Sequence, residues 1–222
     1  LNFGHGWRDT LCQVDQEGMD ALDAGDRPSI YLTTECNACE LDAPGQPRVA
    51  CEDYVLRPGG GTAYVGNTEF GVGAPWLMAF YRDLIQRLYA SPGVPLGDLV
   101  AETLRTFADP AEAAKPLSDL RWTYLVLILM GDPSMMVFTD RPRPLDTDAT
   151  WEAGTLQVTV RDGAVPVSGA TVALSAPGLL HVTVTGPEGV ATFAWEEAPP
   201  EVSWTLTATA PNHLPAEAAL RF

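Results

Sequence analysis

The sequence predicts two consecutive domains, an α/β domain with a mainly parallel sheet flanked by helices and then a small all-β sandwich. Short apolar strands alternate with helical patterns over the first 140 residues. A stretch rich in Pro, Asp and Thr follows, and beyond it apolar side chains recur at every second position. We therefore place the α/β domain at 1–140, a linker at 141–153 and the sandwich at 154–222.

The first domain alternates the two kinds of element along the chain. The predicted strands are Leu1–Phe3, Ser29–Thr34, Thr62–Gly66 and Met135–Phe138. The predicted helices are Gln16–Leu22, Val49–Leu56, Trp76–Tyr89, Leu96–Phe107 and Leu117–Met130. The fourth helix has an apolar face at helical spacing. The second and third strands lack polar alternation, which is typical of strands covered by helices on both faces.

The second domain shows period-two alternation in four groups separated by turn signals such as TGPEG and APNH. The groups are Leu156, Val158 and Val160; Val172 and Leu174; Val182 and Val184; and Trp204, Leu206 and Ala208. Short strands with this spacing predict an antiparallel sandwich of immunoglobulin-like type.

Composition excludes several classes of partner. The formal charge of −16 argues against binding to nucleic acid or to anionic membrane surfaces, because both attract clustered Lys and Arg. The longest apolar run, Tyr124–Met130, falls far short of the roughly 20 residues that span a bilayer.

His5 lies between Gly4 and Gly6, directly after the first apolar run. Flanking glycines leave the imidazole ring presented and let another segment approach the backbone closely. The alternative is an ordinary turn histidine whose glycines serve only the turn.

Cys36 follows the strand YLTT in the segment TTECNACELD. A cysteine at the carboxyl end of a buried strand faces the crevice where open α/β sheets bind ligands. N–H groups of a following turn would stabilise a thiolate and an oxyanion. The alternatives are a buried structural cysteine, a redox C-x-x-C, or a metal site in which Cys12, Cys51 or His5 completes the Cys36–Cys39 pair.

The two motifs together are more specific than either alone, because neighbouring parallel strands would bring His5 and Cys36 to one edge for acyl transfer. The ordered segments GHG, ECNACELD, CEDYVLRPGGG, GTAYVGNTEFG and LMGDPSMMVF within 1–139 resemble the gingipain-type cysteine peptidases of the caspase-like clan. The linker followed by an immunoglobulin-like module is also similar to that family.

The resemblance implies a caspase-like fold and a cysteine endopeptidase. Cys36 would attack the peptide carbonyl, His5 would protonate the leaving amine, and the backbone N–H groups of Gly6 and Cys36 would bind the oxyanion. Cys39 stands where the family usually has a glycine, and Leu41-Asp42 take the place of its aromatic–acidic pair. Of the two cysteines, this favours Cys36 as the nucleophile.

The segment Gly66–Phe70, which follows the third predicted strand, is predicted to line the substrate pocket. Its candidate residues are Gly66, Asn67, Thr68 and Glu69, with Trp76 beyond them. The alternatives are ordinary helix packing for Trp76, which we favour, and a solvated loop charge for Glu69.

The resemblance also implies a polypeptide substrate, a secreted or cell-surface bacterial location, and no required cofactor, while leaving room for structural calcium. Leu1–Phe3 would expose an apolar strand edge, so we expect a separate N-terminal chain or a second copy to complete the sheet. Two rival functions stay open: an inert secreted binding or adhesion module, and a zinc-binding scaffold that uses the cysteine cluster.

Overall fold

The computed structural model describes residues 5–12, 14–21, 29–41, 45, 49–71, 75–115, 118–195 and 202–221. The chain divides into two compact units, Leu1–Met135 and Met136–Phe222. The predicted strand Leu1–Phe3 and the residues Gly4 and Asp42 lie outside the described residues. No helix within the described ranges is both long and apolar enough to cross a membrane.

The first unit contains a three-stranded mixed sheet in the order β1-β2-β3. Strand β1 (Ile30–Leu32) runs parallel to β2 (Ala63–Asn67), with Ile30 opposite Ala63. Strand β3 (Leu127–Gly131) pairs with β2 in the antiparallel direction. All residues of β2 are buried, as expected of a central strand.

The third strand corrects two sequence predictions. Residues 127–130 end the predicted helix Leu117–Met130 but belong to β3, and 135–138, predicted as a strand, form none. The run LVLILM is continuously apolar, so its periodicity does not distinguish a buried helix from a buried strand. The sheet is consequently mixed and not mainly parallel.

Six helices accompany this sheet in the described part of the first unit. They are α1 (Gln16–Asp20), α2 (Ala50–Leu56), α3 (Pro75–Ala90), α4 (Leu96–Phe107), α5 (Pro110–Ala113) and α6 (Asp119–Val126). Helix α4 has the predicted bounds and buries Leu96, Leu99 and Val100. The Ser118 side chain accepts a hydrogen bond from the Arg121 N–H and caps α6.

One apolar cluster of the first unit joins the segment after His5, the turn after Cys36, and α2. Its buried members are Leu11, Met19, Ala38, Cys39, Val49, Ala50, Cys51, Tyr54 and Tyr64. Because these three parts share a core, a shift of one displaces the others.

The second unit contains two four-stranded sheets and one short strand pair. Its strands are β4 (Arg143–Pro144), β5 (Asp146–Glu152), β6 (Thr155–Asp162), β7 (Val165–Pro166), β8 (Thr171–Ala176), β9 (Leu179–Val184), β10 (Val190–Ala194), β11 (Trp204–Thr209), β12 (His213–Leu214) and β13 (Ala216–Leu220). One sheet has the order β10-β6-β5 with β7 beside β6, the other has the order β13-β11-β8-β9, and β4 pairs with β12. All pairs within the two larger sheets are antiparallel.

The apolar core of this unit uses the alternating residues of both larger sheets. It includes Leu156, Val158, Val160, Val172, Leu174, Trp204, Leu206 and Ala208. Val182 and Val184 behave differently, being 57% and 60% exposed. On the other face of β9, His181 is itself exposed, and its ring lies 5.5 Å from that of Trp195 and 5.8 Å from that of Trp204.

The segment predicted as a linker, 141–153, contains β4 and β5. Strand β5 pairs with β6 along its length, from Asp146 opposite Arg161 to Glu152 opposite Thr155. Aspartate and threonine conceal the alternation in this stretch, because an edge strand with one solvated face needs few apolar residues.

Candidate active site

Cys36 lies just beyond the carboxyl end of β1, as the sequence predicts. Because β1 and β2 are parallel, the segments that follow both strands leave the same edge of the sheet. The Cys36 sulfur is partly exposed and lies 3.7 Å from the Gly71 carbonyl oxygen, to which the thiol can donate a hydrogen bond. The nucleophile candidate therefore faces the segment that follows β2.

His5 is exposed and begins a segment, residues 5–12, that passes beside the residue preceding Cys36. The backbone N–H of Cys12 donates a 2.8 Å hydrogen bond to Oε1 of Glu35. A methyl group added to Gly6 would lie 2.8 Å from Oε2 of the same carboxyl group. The glycine thus permits the close backbone approach that the GHG motif indicates, and the structure brings the histidine segment and the cysteine segment together.

Glu35 is an acidic side chain with no exposed surface in this region. Burial raises the pKa of Glu35 above its ordinary value, while hydrogen bonds from Cys12 and Tyr31 and the charge of His5 act in the opposite direction. The Glu35 carbonyl accepts a 2.9 Å hydrogen bond from the side-chain amide of Asn67. The backbone just before Cys36 is therefore hydrogen-bonded to the last residue of β2.

The turn after Cys36 is bonded to its surroundings through its backbone. Asn37 has a left-handed φ of 56°, and its N–H donates to the Glu69 carbonyl at 3.0 Å. The Cys39 N–H donates to the Asn67 carbonyl at 3.3 Å. Residues 37–39 are thus hydrogen-bonded to the last residue of β2 and to the segment that follows it.

A disulfide between Cys39 and Cys51 connects this turn to α2. Cys12 and Cys36 are free thiols. A cystine sulfur is not a thiolate ligand, so neither Cys39 nor Cys51 could bind metal in the alternative zinc site while they are bonded to each other. Among the described residues, no three His, Cys, Asp or Glu side chains gather closely enough to hold a metal ion.

Arg8 and Glu40 form a two-bond ion pair between the histidine segment and the turn after Cys36. The Arg8 Nε and one terminal guanidinium nitrogen each donate a 2.7 Å hydrogen bond, to Oε2 and Oε1 of Glu40. The Asn37 side-chain amide donates a third bond of 2.7 Å to Oε2. The hydrogen bonds of Arg8, followed by that of Asn37, lower the pKa of Glu40.

The predicted substrate-binding residues differ in how far solvent reaches them. Gly66 and Asn67 belong to the buried strand β2, whereas Thr68, Glu69 and Trp76 are partly exposed. The N–H and hydroxyl groups of Thr68 both donate to the Val126 carbonyl. Three of the five candidates therefore have surface that a ligand could reach.

Trp122 is an exposed aromatic residue beside the predicted pocket segment Gly66–Phe70, and the sequence analysis did not place it there. Phe70 is 65% exposed, and its carbonyl accepts a 2.6 Å hydrogen bond from the indole N–H of Trp122 on α6. No local pattern connects Trp122 with Phe70, because the two residues are 52 positions apart in the chain.

Comparison with known proteins gives one family match and several structural matches. The model of peptidase family C25 matches residues 2–138. A comparison with curated proteins found no match. The fold resembles the crystal structure of the Arg-specific cysteine proteinase gingipain R, with TM-score 0.74, 16% identity, and coverage of 99% of this chain and 51% of that one.

Two further structures are similar over the same extent. A complex of the pro- and mature domains of RgpB from Porphyromonas gingivalis gives TM-score 0.74 and 17% identity, covering 99% of this chain and 52% of that one. A protease structure gives TM-score 0.62 and 15% identity, covering 100% of this chain and 54% of that one. The chain thus spans about half the length of the solved structures it matches.

Proposed function

Because the chain belongs to peptidase family C25, we propose that it hydrolyses peptide bonds as a cysteine endopeptidase, with Cys36 as nucleophile and His5 as acid–base partner. The observation that carries this proposal is the placement of Cys36. It is a free thiol at the carboxyl edge of the sheet, and the segment that begins with His5 is hydrogen-bonded to its neighbour Glu35. Cys39, the other cysteine of the motif, is bound in a disulfide.

The proposed reaction proceeds through an acyl-enzyme. The Cys36 thiolate adds to the peptide carbonyl, and the resulting oxyanion is bound by the backbone N–H groups of Gly6 and Cys36. Protonated His5 gives its proton to the amine as the C–N bond breaks, which leaves a thioester on Cys36. Water then attacks the thioester while His5 takes up the water proton, and the carboxylic acid and the free thiolate are released.

The substrate we propose is a polypeptide that binds along the segment after β2. Thr68, Glu69 and Trp76 offer accessible surface for the residue before the scissile bond, with Gly66 and Asn67 behind them as support. The acidic Glu69 and the ring of Trp76 are the side chains whose substitution should alter cleavage preference.

The remaining features of the proposal concern the setting of the enzyme. We propose that the first unit is caspase-like and that the second is an immunoglobulin-like sandwich, without a catalytic site, that supports or attaches the peptidase. A secreted or cell-surface location agrees with a disulfide, which persists in oxidising compartments. We also propose a protein partner for the first unit, either a separate chain or a second copy, because the similar protein RgpB is seen in a complex of its pro- and mature domains.

Cleavage of unfolded protein substrates tests the proposal. We expect Cys36→Ala and His5→Ala each to abolish hydrolysis while the circular dichroism spectrum stays unchanged. Cys12→Ala is the matched control, because Cys12 is the other free thiol, and it should keep wild-type activity. Iodoacetamide labelling with peptide mapping should show that inactivation follows modification of Cys36. If Cys36→Ala retained activity, or if inhibition followed Cys12 modification, the proposed dyad would be wrong.

A further inference from the structure

We propose that Arg8 and Glu40 are positioning residues, whose ion pair sets the distance between His5 and Cys36 without touching substrate. This inference rests on the proposed function. Arg8 lies three positions after His5 and Glu40 lies four positions after Cys36. The pair therefore joins the two segments that carry the reacting groups.

The geometry of the pair suits this role. The planar guanidinium fork meets both carboxylate oxygens of Glu40 at 2.7 Å, which fixes orientation as well as separation. The Glu40 side chain is only 11% exposed, and the Asn37 amide holds it from within its own turn. A lysine at position 8 would keep the charge and lose the fork.

The other contacts of Arg8 show why the fold would survive loss of the pair. The Arg8 carbonyl accepts a 2.9 Å hydrogen bond from the Ala50 N–H at the start of α2, and the Ala38 carbonyl accepts one of 3.0 Å from the Cys51 N–H. The Cys39–Cys51 disulfide adds a covalent link from the turn to the same helix. Both segments thus stay attached to α2, and the Arg8–Glu40 ion pair adds a direct side-chain link between them.

A kinetic comparison with a matched control separates positioning from ordinary stabilisation. Arg87 on α3 pairs with Asp83 on the same helix and is 30% exposed, against 31% for Arg8. We expect Arg8→Lys to lower kcat by about 10- to 100-fold with KM unchanged within about twofold, because displacements near 1 Å have effects of this size. Arg87→Lys should keep wild-type kcat, and both variants should show similar small decreases in Tm.

A double-mutant cycle then tests whether the pair acts as one unit. Glu40→Gln removes the carboxylate charge while keeping an acceptor for Asn37, and it should match Arg8→Lys in kcat. The double variant Arg8→Lys/Glu40→Gln should be no slower than the slower single variant. Losses that multiply, or an Arg8→Lys loss no greater than that of Arg87→Lys, would overturn the inference while the proposed dyad stands. Wild-type cleavage that Cys36→Ala leaves unchanged would instead contradict the dyad and, with it, this inference.

Discussion

Replacing Cys39 and Cys51 together by alanine should lower the free energy of unfolding of the first unit by about 3 kcal/mol. The disulfide joins residues that are 12 positions apart, and opening a loop of this length returns about 3 kcal/mol of chain entropy to the unfolded state at 25 °C. Both cysteines are fully buried, so the vacated sulfur volume adds a further loss instead of offsetting it.

Urea unfolding, followed by hydrogen exchange of peptides from α2 and β2, measures this change in the first unit alone. A loss of about 3 kcal/mol corresponds to a midpoint lowered by about 1–3 M urea for typical dependences on denaturant. Cys12→Ala is the control and should leave the midpoint unchanged, because Cys12 is exposed and its thiol forms no disulfide. An unchanged midpoint for the double variant would show that the unfolded loop is already constrained without the bond, and it would refute the entropy argument.

Three other substitutions test single contacts around the site. The raised pKa of Glu35 means that the folded protein binds the carboxyl proton more tightly than the unfolded chain does, so stability falls as pH rises from about 4.5 through the folded-state pKa. Glu35→Gln should therefore have a higher Tm than wild type at pH above the folded-state pKa and an equal Tm at pH below about 4.5. A lower Tm at neutral pH would contradict this. Tyr81→Phe should cost about 1–2 kcal/mol in urea unfolding, because the hydroxyl donates to the buried carbonyls of Thr33 at 2.5 Å and Val65 at 3.0 Å. An unchanged unfolding free energy would contradict a stabilising role of this hydroxyl. Gly6→Ala should reduce kcat/KM, because the new methyl group would meet the Glu35 carboxyl group at 2.8 Å, and full activity would show that the histidine segment can move away without consequence.

Local patterns predicted most elements of the first unit because their apolar residues have one clear period. Helix α4 agrees residue for residue with its predicted bounds, since a single apolar stripe and a polar opposite face admit one interpretation. Strand β3 shows the limit of this reasoning. Its direction and its separation from α6 depend on tertiary packing against β2, which a uniformly apolar run does not encode.

The second unit shows the same limit in another form. The alternation of β6, β8 and β11 predicted their buried residues, because each has one face on the core. Val182 and Val184 have the same spacing and lie on the outer face of β9. His181 of the same strand contacts two tryptophan rings although it is exposed, and such aromatic contacts depend on how the strands pair in space.

Within the site, the sequence identified a residue at a strand end and a glycine needed for close backbone approach. It did not identify residues that pair through their side chains. The position of Cys36 follows from strand order, and the need for Gly6 follows from the close approach of two segments of the chain. The disulfide pairing remained open, because four cysteines allow more than one connectivity. The Arg8–Glu40 pair had no signal, since two charged loop residues 32 positions apart carry no periodicity.

Helix α2 contributes no reacting atom to the proposed dyad, yet both halves of the site depend on its position. Its first residue bonds to the Arg8 carbonyl, and its second bonds to the Ala38 carbonyl and carries one sulfur of the disulfide. The histidine segment and the cysteine turn are thus both attached to the first turn of α2, and the side chains of Arg8 and Glu40 also join them directly. The histidine segment, the cysteine turn and α2 are therefore connected in all three pairs. Displacing either segment strains both its attachment to α2 and the ion pair. A substitution that shifts the start of α2 should therefore reduce cleavage more than its effect on stability alone would explain, although it lies outside the reacting groups.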